Sequence, residues 1–258
     1  MNLGLKGKNV FVTASTNGIG KEIARNFLEE GANVIINGRD CQRLQEVTIS
    51  FSKKYGTHRV QGVIGDMTNE NSILNARDTI LNYLGKLDIL IANLGTGKPI
   101  GSDKLEMAEW YHMYEYNLFS AIRLISSFEN TLKKAEEANI VLLSSLAGHE
   151  KISAPIAYAS AKNGIRVLVK YLADDYARYG IRVNGVSPGN ILYPGGRWEE
   201  LLTGNREKIE EYINVSVPMK RFGKPEEIAN VVVFLASKKA SFITGEVLKV
   251  DGGQSRAI

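Results

Sequence analysis

Residues 11–20 read FVTASTNGIG: an apolar run ending at Thr13, a polar turn, and glycines at 18 and 20 that open a stretch of helical periodicity. Strand, turn and helix in that order bring unpaired backbone N–H groups and the positive end of a helix to one point, which attracts phosphate. Ala14 stands directly after the strand, where the tightest position of such a turn usually carries glycine. Alanine adds only a methyl group and is acceptable where φ is negative. Ala14 is therefore expected to permit binding. Glycine pairs at helix starts also arise from turn geometry alone, so the decision rests on the rest of the chain.

Outward from this segment the alternation repeats. Strand-like runs at 9–13, 33–37 (NVIIN), 59–64, 88–92, 139–144 (NIVLLS), 182–187 (RVNGVS) and 247–250 are interleaved with helical periodicity. The helical stretches are 19–30, 43–55, 69–84, 107–128, 158–179 and 225–236. In the first of them Ile23, Phe27 and Leu28 share one side, and Gly31 ends it. VIIN and IVLL are apolar throughout, as strands buried on both faces are, so crossover helices must cover a parallel sheet on both sides. The expected architecture is one α/β domain over residues 1–258, a doubly wound parallel sheet of about seven strands. The polar excursion at 190–217 lies outside that rhythm.

Composition excludes several classes of function. The chain of 258 residues is 44% hydrophobic and 23% charged, enough for a large core. Lys and Arg exceed Asp and Glu by 32 − 28 = 4, and the excess is scattered rather than gathered into a basic stripe with aromatics, so nucleic acid is not expected as a partner. The longest clearly apolar run, 231–236, is too short to span a bilayer. A single cysteine, Cys41, excludes an intrachain disulfide and suits a reducing compartment. With no signal pattern at residues 1–12, the reading is a cytoplasmic protein. His58, His112 and His149 are scattered without ligand spacing, and no metal is expected.

Two local patterns carry chemistry. At the end of the second strand an acidic residue binds the ribose hydroxyl of NAD, whereas an arginine accommodates the extra phosphate of NADP. This chain has Asn37-Gly38-Arg39 followed by Asp40, a possible partner for the arginine, and NADP(H) is favoured over NAD(H). Further on, Tyr158 and Lys162 in YASAK are four apart and share a helix face. A free phenol has a pKa near ~10, and a neighbouring ammonium favours the phenolate, so the lysine is expected to lower the tyrosine.

These segments together resemble the short-chain dehydrogenase/reductase family, and the likeness runs over nearly the whole chain. TASTNGIG is similar to its TGxxxGxG turn with Ala14 at the first glycine, ANLG to its NNAG, PG at 188–189 to its PG turn, and DGG at 251–253 to its terminal DGG. The resemblance implies a Rossmann fold and a tetrad of Asn117, Ser145, Tyr158 and Lys162, with Ser145 thirteen residues before the tyrosine (158 − 145 = 13). It implies cofactor contacts from Thr13, Ser15, Asn17, Gly18, Ile19, Gly20, Arg39, Asp66, Met67, Asn93, Gly95, Tyr158, Lys162, Pro188, Gly189 and Ile191. Asp66 would bind the adenine. Asn117 would hold the lysine through a water.

The implied activity is hydride transfer between a nicotinamide cofactor and a small-molecule carbonyl or secondary alcohol, with Tyr158 as general acid and base. It also implies a substrate lid at 190–217, and a homotetramer or homodimer. Tyr193 stands where many members have a threonine at the carboxamide, and Trp198, Tyr193, Lys98 and His149 are expected around the substrate. Members acting on sugars, acyl thioesters, steroids and simple ketones are all compatible. A non-catalytic NADP(H)-binding regulator is the alternative reading, suggested by Ala14 and Leu94. The complete tetrad weighs against it, and against a lyase or epimerase.

Overall fold

The computed structural model describes residues 2–101 and 105–256. Seven strands form one parallel sheet: β1 (Asn9–Val12), β2 (Asn33–Gly38), β3 (Val60–Ile64), β4 (Ile89–Ala92), β5 (Ala138–Leu143), β6 (Ile181–Pro188) and β7 (Val247–Val250). Their order is β3-β2-β1-β4-β5-β6-β7. Successive side chains of a strand point to opposite faces, and both faces are buried here. Val10 and Val12 join one core with Ile36, Ile91 and Val141; Phe11, Ile35, Leu90 and Leu142 join the other. That is why the central strands β1, β4 and β5, buried along their length, read as largely apolar runs.

The first core is covered by α1 (Gly18–Glu29), α2 (Cys41–Tyr55) and α9 (Pro225–Ala236), through Ile23, Phe27, Phe51 and Val232. The second is covered by α3 (Glu70–Leu84), α5 (Ser120–Leu132) and α6 (Ile156–Ala177), through Ile73, Ile80, Phe128 and Val169. The doubly wound expectation is met. No helix among the described residues is long and apolar enough to cross a membrane.

One expected helix is interrupted. The stretch expected as one helix over 107–128 is α4 (Met107–Tyr114), a wide π turn at Glu115–Phe119, and α5. One inserted residue per turn shifts the apolar phase without breaking it, so periodicity does not reveal the turn. The polar excursion at 190–217 contains two helices, α7 (Arg197–Gly204) and α8 (Arg206–Ser216), separated at Asn205, whose Oδ1 accepts from Lys208 N at 3.1 Å and caps α8.

Candidate active site

The strand order reverses direction between β1 and β4, so the connections leaving their carboxyl ends diverge and leave a crevice there. A cleft of about 780 Å³ opens at that point, lined also from the ends of β5 and β6 and from α7 and α8.

At the phosphate turn the negative φ assumed for Ala14 is not found. Its φ is +48°, in the left-handed region. An L-residue there costs about 1–2 kcal/mol because Cβ crowds the carbonyl. The strain is held from two sides: Ala14 N donates to Asn37 Oδ1 at 3.1 Å, and Ala14 O accepts from Asn93 Nδ2 at 3.1 Å. Thr13 Oγ1 donates to Ile91 O and accepts from Asn93 N, joining β1 to the loop after β4. Ser15 Oγ donates to Val12 O at 2.7 Å and accepts from Asn37 N. Both hydroxyls are thus committed inside the fold, and what remains for an anion is backbone N–H. Gly20 is fixed by close approach, since a Cβ on it would lie 2.4 Å from both Ala14 O and Asn93 Nδ2. Asn17 Nδ2 donates to Pro194 O at 2.9 Å, tying the turn to the segment before α7.

At the end of β2, Gly38 faces Thr16: a Cβ on it would meet Thr16 Cγ2 at 2.5 Å. Asn37 spends its amide on Val63 O and Gly65 O. Arg39 does not pair with Asp40, which instead caps α2 by accepting from Arg43 N. Its guanidinium donates to Asp66 Oδ2 at 3.3 Å and Tyr116 Oη at 3.1 Å, and is 60% exposed. Burial works to raise the Asp66 carboxyl, but hydrogen bonds from Thr68 N, Thr68 Oγ1 and Arg39 outweigh it and hold it below its usual value. Tyr116 was not legible as a neighbour of Arg39, because 77 residues separate them.

The four tetrad residues converge. Ser145 ends the segment after β5, its Oγ accepting from Ala147 N at 3.2 Å and sharing a hydrogen bond with Tyr158. Asn117 sits in the π turn, which turns its amide across to the loop after β4: Oδ1 accepts from Thr96 N at 3.0 Å, and Nδ2 donates to Thr96 O and Met113 O at 2.9 Å. Lys162 Nζ donates to Leu143 O at 2.8 Å. A Cβ on Gly95 would lie 2.8 Å from Asn117 Oδ1 and 2.9 Å from Lys162 Nζ, so those two groups face one small space that only glycine leaves open. Thr96, the backbone partner of Asn117, carries no sequence signal of its own.

The Tyr158 phenol is raised rather than lowered, and Lys162 is not among the causes of that shift. Burial pushes the phenol above its ordinary value, and the bond to Ser145 draws it back only partly. The ammonium lies 5.9 Å from the tyrosine ring, bonded to a carbonyl, and is itself pushed down by burial to about 8.

Asn17, Ile19, Gly20, Arg39, Met67, Asn93 and Gly95 line the cleft, as do Ser145, Tyr158, Lys162, Pro188, Gly189 and Ile191. Thr13, Ser15, Gly18, Asp66 and Asn117 are not in that lining. Tyr193 and Trp198 line it too, the Tyr193 ring covering Gly18 so closely that a Cβ there would meet it at 2.5 Å. Trp198 stacks on Tyr212, 5.7 Å between centroids and 12° from parallel, and leans on Phe222. Lys98 and His149 are not in the lining. Lys98 reaches across the rim to Glu200 at 3.1 Å, and His149 Nε2 hydrogen-bonds Ser187 Oγ at 2.8 Å. The donor set fits an anionic dinucleotide: helix N–H groups, Arg39 and Lys162, with no acidic side chain among the described residues lining the cleft. No cluster of metal-ligating groups occurs among the described residues.

A family model described as enoyl-(acyl carrier protein) reductase matches residues 13–255. The 3-oxoacyl-[acyl-carrier-protein] reductase of Aquifex aeolicus is 33% identical over 98% of this chain and 99% of its own. L-Sorbose reductase from Gluconobacter frateurii, solved with NADPH and L-sorbose, superimposes with a TM-score of 0.93 at 29% identity, covering 100% of both chains. A 7α-hydroxysteroid dehydrogenase solved with NADH and 7-oxo glycochenodeoxycholic acid superimposes with a TM-score of 0.90 at 33% identity, covering 99% of this chain and 97% of that one.

Proposed function

The chain belongs to the short-chain dehydrogenase/reductase family, and from that premise we propose that it transfers hydride between NADP(H) and a carbonyl or secondary alcohol. The observation that carries this is the convergence of Asn117, Ser145, Tyr158 and Lys162 at the carboxyl ends of the strands, beside a glycine-rich helix start. When bound, the nicotinamide supplies or accepts the hydride at the carbonyl carbon.

The chain's own residues manage the proton and the charge. With its phenol pushed up by burial, Tyr158 is protonated at neutral pH and donates to the carbonyl oxygen during reduction. Ser145, already bonded to that phenol, hydrogen-bonds the same oxygen as charge develops on it. Lys162 then faces a phenolate, which its ammonium stabilises. Asn117 holds the space over Gly95 through which Lys162 exchanges its proton. In oxidation the transfers at Tyr158 reverse.

NADP(H) is preferred in this reading because Gly38, crowded by Thr16, offers no carboxylate to a ribose, while Arg39 presents an exposed guanidinium beside it. The lid comprises residues 190–217. A small molecule is the substrate, and the assembly is a homotetramer, for which exposed apolar side chains on α5 and α6, among them Ile122, Val167 and Tyr171, supply a contact face. Light scattering at four times 28.4 kDa checks the assembly.

Oxidation of NADPH and NADH, followed by absorbance over a panel of ketones, aldoses, oxo acids and steroid ketones, tests the function. Turnover is expected with NADPH ahead of NADH, and Arg39→Ala is expected to weaken NADPH by about tenfold while leaving NADH within about twofold. Failure of every carbonyl with either cofactor defeats the proposal.

A further inference from the structure

The charged side chains that line the cleft are Arg39, Lys162, Arg197 and Lys208. The first two belong to the cofactor end. Arg197 and Lys208 are on the lid, on α7 and α8, beside a chamber whose other walls include Pro99, Ile152, Leu201, Ile209 and Tyr212. Two basic groups thus stand at the edge of an otherwise largely apolar chamber, with no acid facing them from its walls.

Both are exposed; Arg197 is paired only through a shared carboxylate, and Lys208 is not paired among the described residues. Lys208 occupies the first turn of α8, where the helix dipole disfavours a cation. Its side chain has no hydrogen-bond or ion-pair partner among the described residues. Arg197 bonds Glu200 Oε2 at 3.1 Å, but Lys98 bonds the other oxygen of the same carboxylate at 3.1 Å. One carboxylate is thus shared between two cations. Glu199, the other acid of α7's first turn, is occupied with Gly195 N at 2.7 Å.

A lid closing over a neutral substrate would strip water from Lys208 with nothing in exchange, which costs free energy. A substrate with a negative group supplies the missing partner through charge-assisted hydrogen bonds. Resting on the oxidoreductase reading above, we propose that the substrate is a carboxylate-bearing carbonyl compound or the corresponding hydroxy acid, its carboxylate held by Lys208 and Arg197 while its carbonyl faces Tyr158 and Ser145. A carboxylate is favoured over a phosphate ester because one free ammonium and one shared guanidinium match a single charge.

The test compares acetoacetate and levulinate with their methyl esters, and dihydroxyacetone phosphate with dihydroxyacetone, as substrates for NADPH oxidation. An acid is expected to exceed its ester in kcat/KM by about tenfold or more, and the acid-to-ester ratio to fall toward one in Lys208→Met and to invert in Lys208→Glu. A binding arm needs no turnover: in a Trp110→Phe background, fluorescence of Trp198 is followed as levulinate is added to NADP-loaded protein. A saturable response lost in Lys208→Met supports the carboxylate site even if no carbonyl is reduced. Esters equal to acids, with turnover intact, overturn this inference and leave the oxidoreductase reading standing. Preference for dihydroxyacetone phosphate with acids and esters equal overturns it in favour of a phosphate. Neither turnover nor a Trp198 response defeats both.

Discussion

Ala14 and Lys162 are the residues at which this fold accepts a local cost. Ala14→Gly removes a left-handed alanine at φ +48°, and is expected to raise stability by about 1 kcal/mol, or about 2–4 °C in Tm. Calorimetric titration should find its NADPH Kd within about tenfold of wild type; tightening beyond about a hundredfold would show that the alanine impairs the site. Lys162, pushed to about 8 by burial, takes up a proton on unfolding at any pH between that value and about 10.4. The folded state is therefore penalised fully below pH 8, and the penalty is relieved as pH rises toward the unfolded value. Lys162→Met should be inactive yet more stable at pH 7, on the order of 1–3 kcal/mol by urea unfolding, with the difference shrinking near pH 10. That Ser145, Tyr158 and Lys162 would meet in one cleft was legible in the sequence, because YASAK and LSSLAG keep type and spacing. The sign of φ at Ala14 and the direction of the Tyr158 shift were not. The first depends on Asn37 and Asn93, held by contacts across 23 and 79 residues, and the second on burial.

Among the elements, the π turn at Glu115–Phe119 is the one whose geometry serves the site most directly. It delivers the Asn117 amide to Thr96 while the helix continues on both sides. Asn117→Ala leaves the Thr96 N–H and carbonyl without that partner, and should cost about 1–3 kcal/mol in stability and at least about tenfold in kcat. Asn117→Asp, which can still accept from Thr96 N, should recover more of the stability than of kcat; equal recovery of both would reduce Asn117 to a structural role. Periodicity located every strand of the sheet, since VIIN and IVLL need burial on both faces. It missed the π turn inside 107–128, where Asn117 reaches across to Thr96 on another element.

At the scale of the whole molecule, the sheet order and the crevice between β1 and β4 bring Ser145, Tyr158 and Lys162 together at the carboxyl ends of the strands. Repetition of strand and helix made that architecture readable from the chain alone. The charge distribution over α7 and α8 was not, because which of their basic groups have partners depends on Glu200 and Lys98, 102 residues apart. The relatives solved with NADPH and with NADH share this fold, so the fold alone does not choose the cofactor. The most direct measurement of the central claim sets wild type beside Tyr158→Phe, following NADPH absorbance with the best carbonyl of the panel and NADPH binding by calorimetry. Turnover lost by about a hundredfold or more in the variant, with NADPH affinity within about threefold of wild type, is the expected result. Equal turnover in the two proteins would remove Tyr158 from the chemistry, and tight NADPH binding by wild type with no turnover would leave a cofactor-binding protein rather than an enzyme.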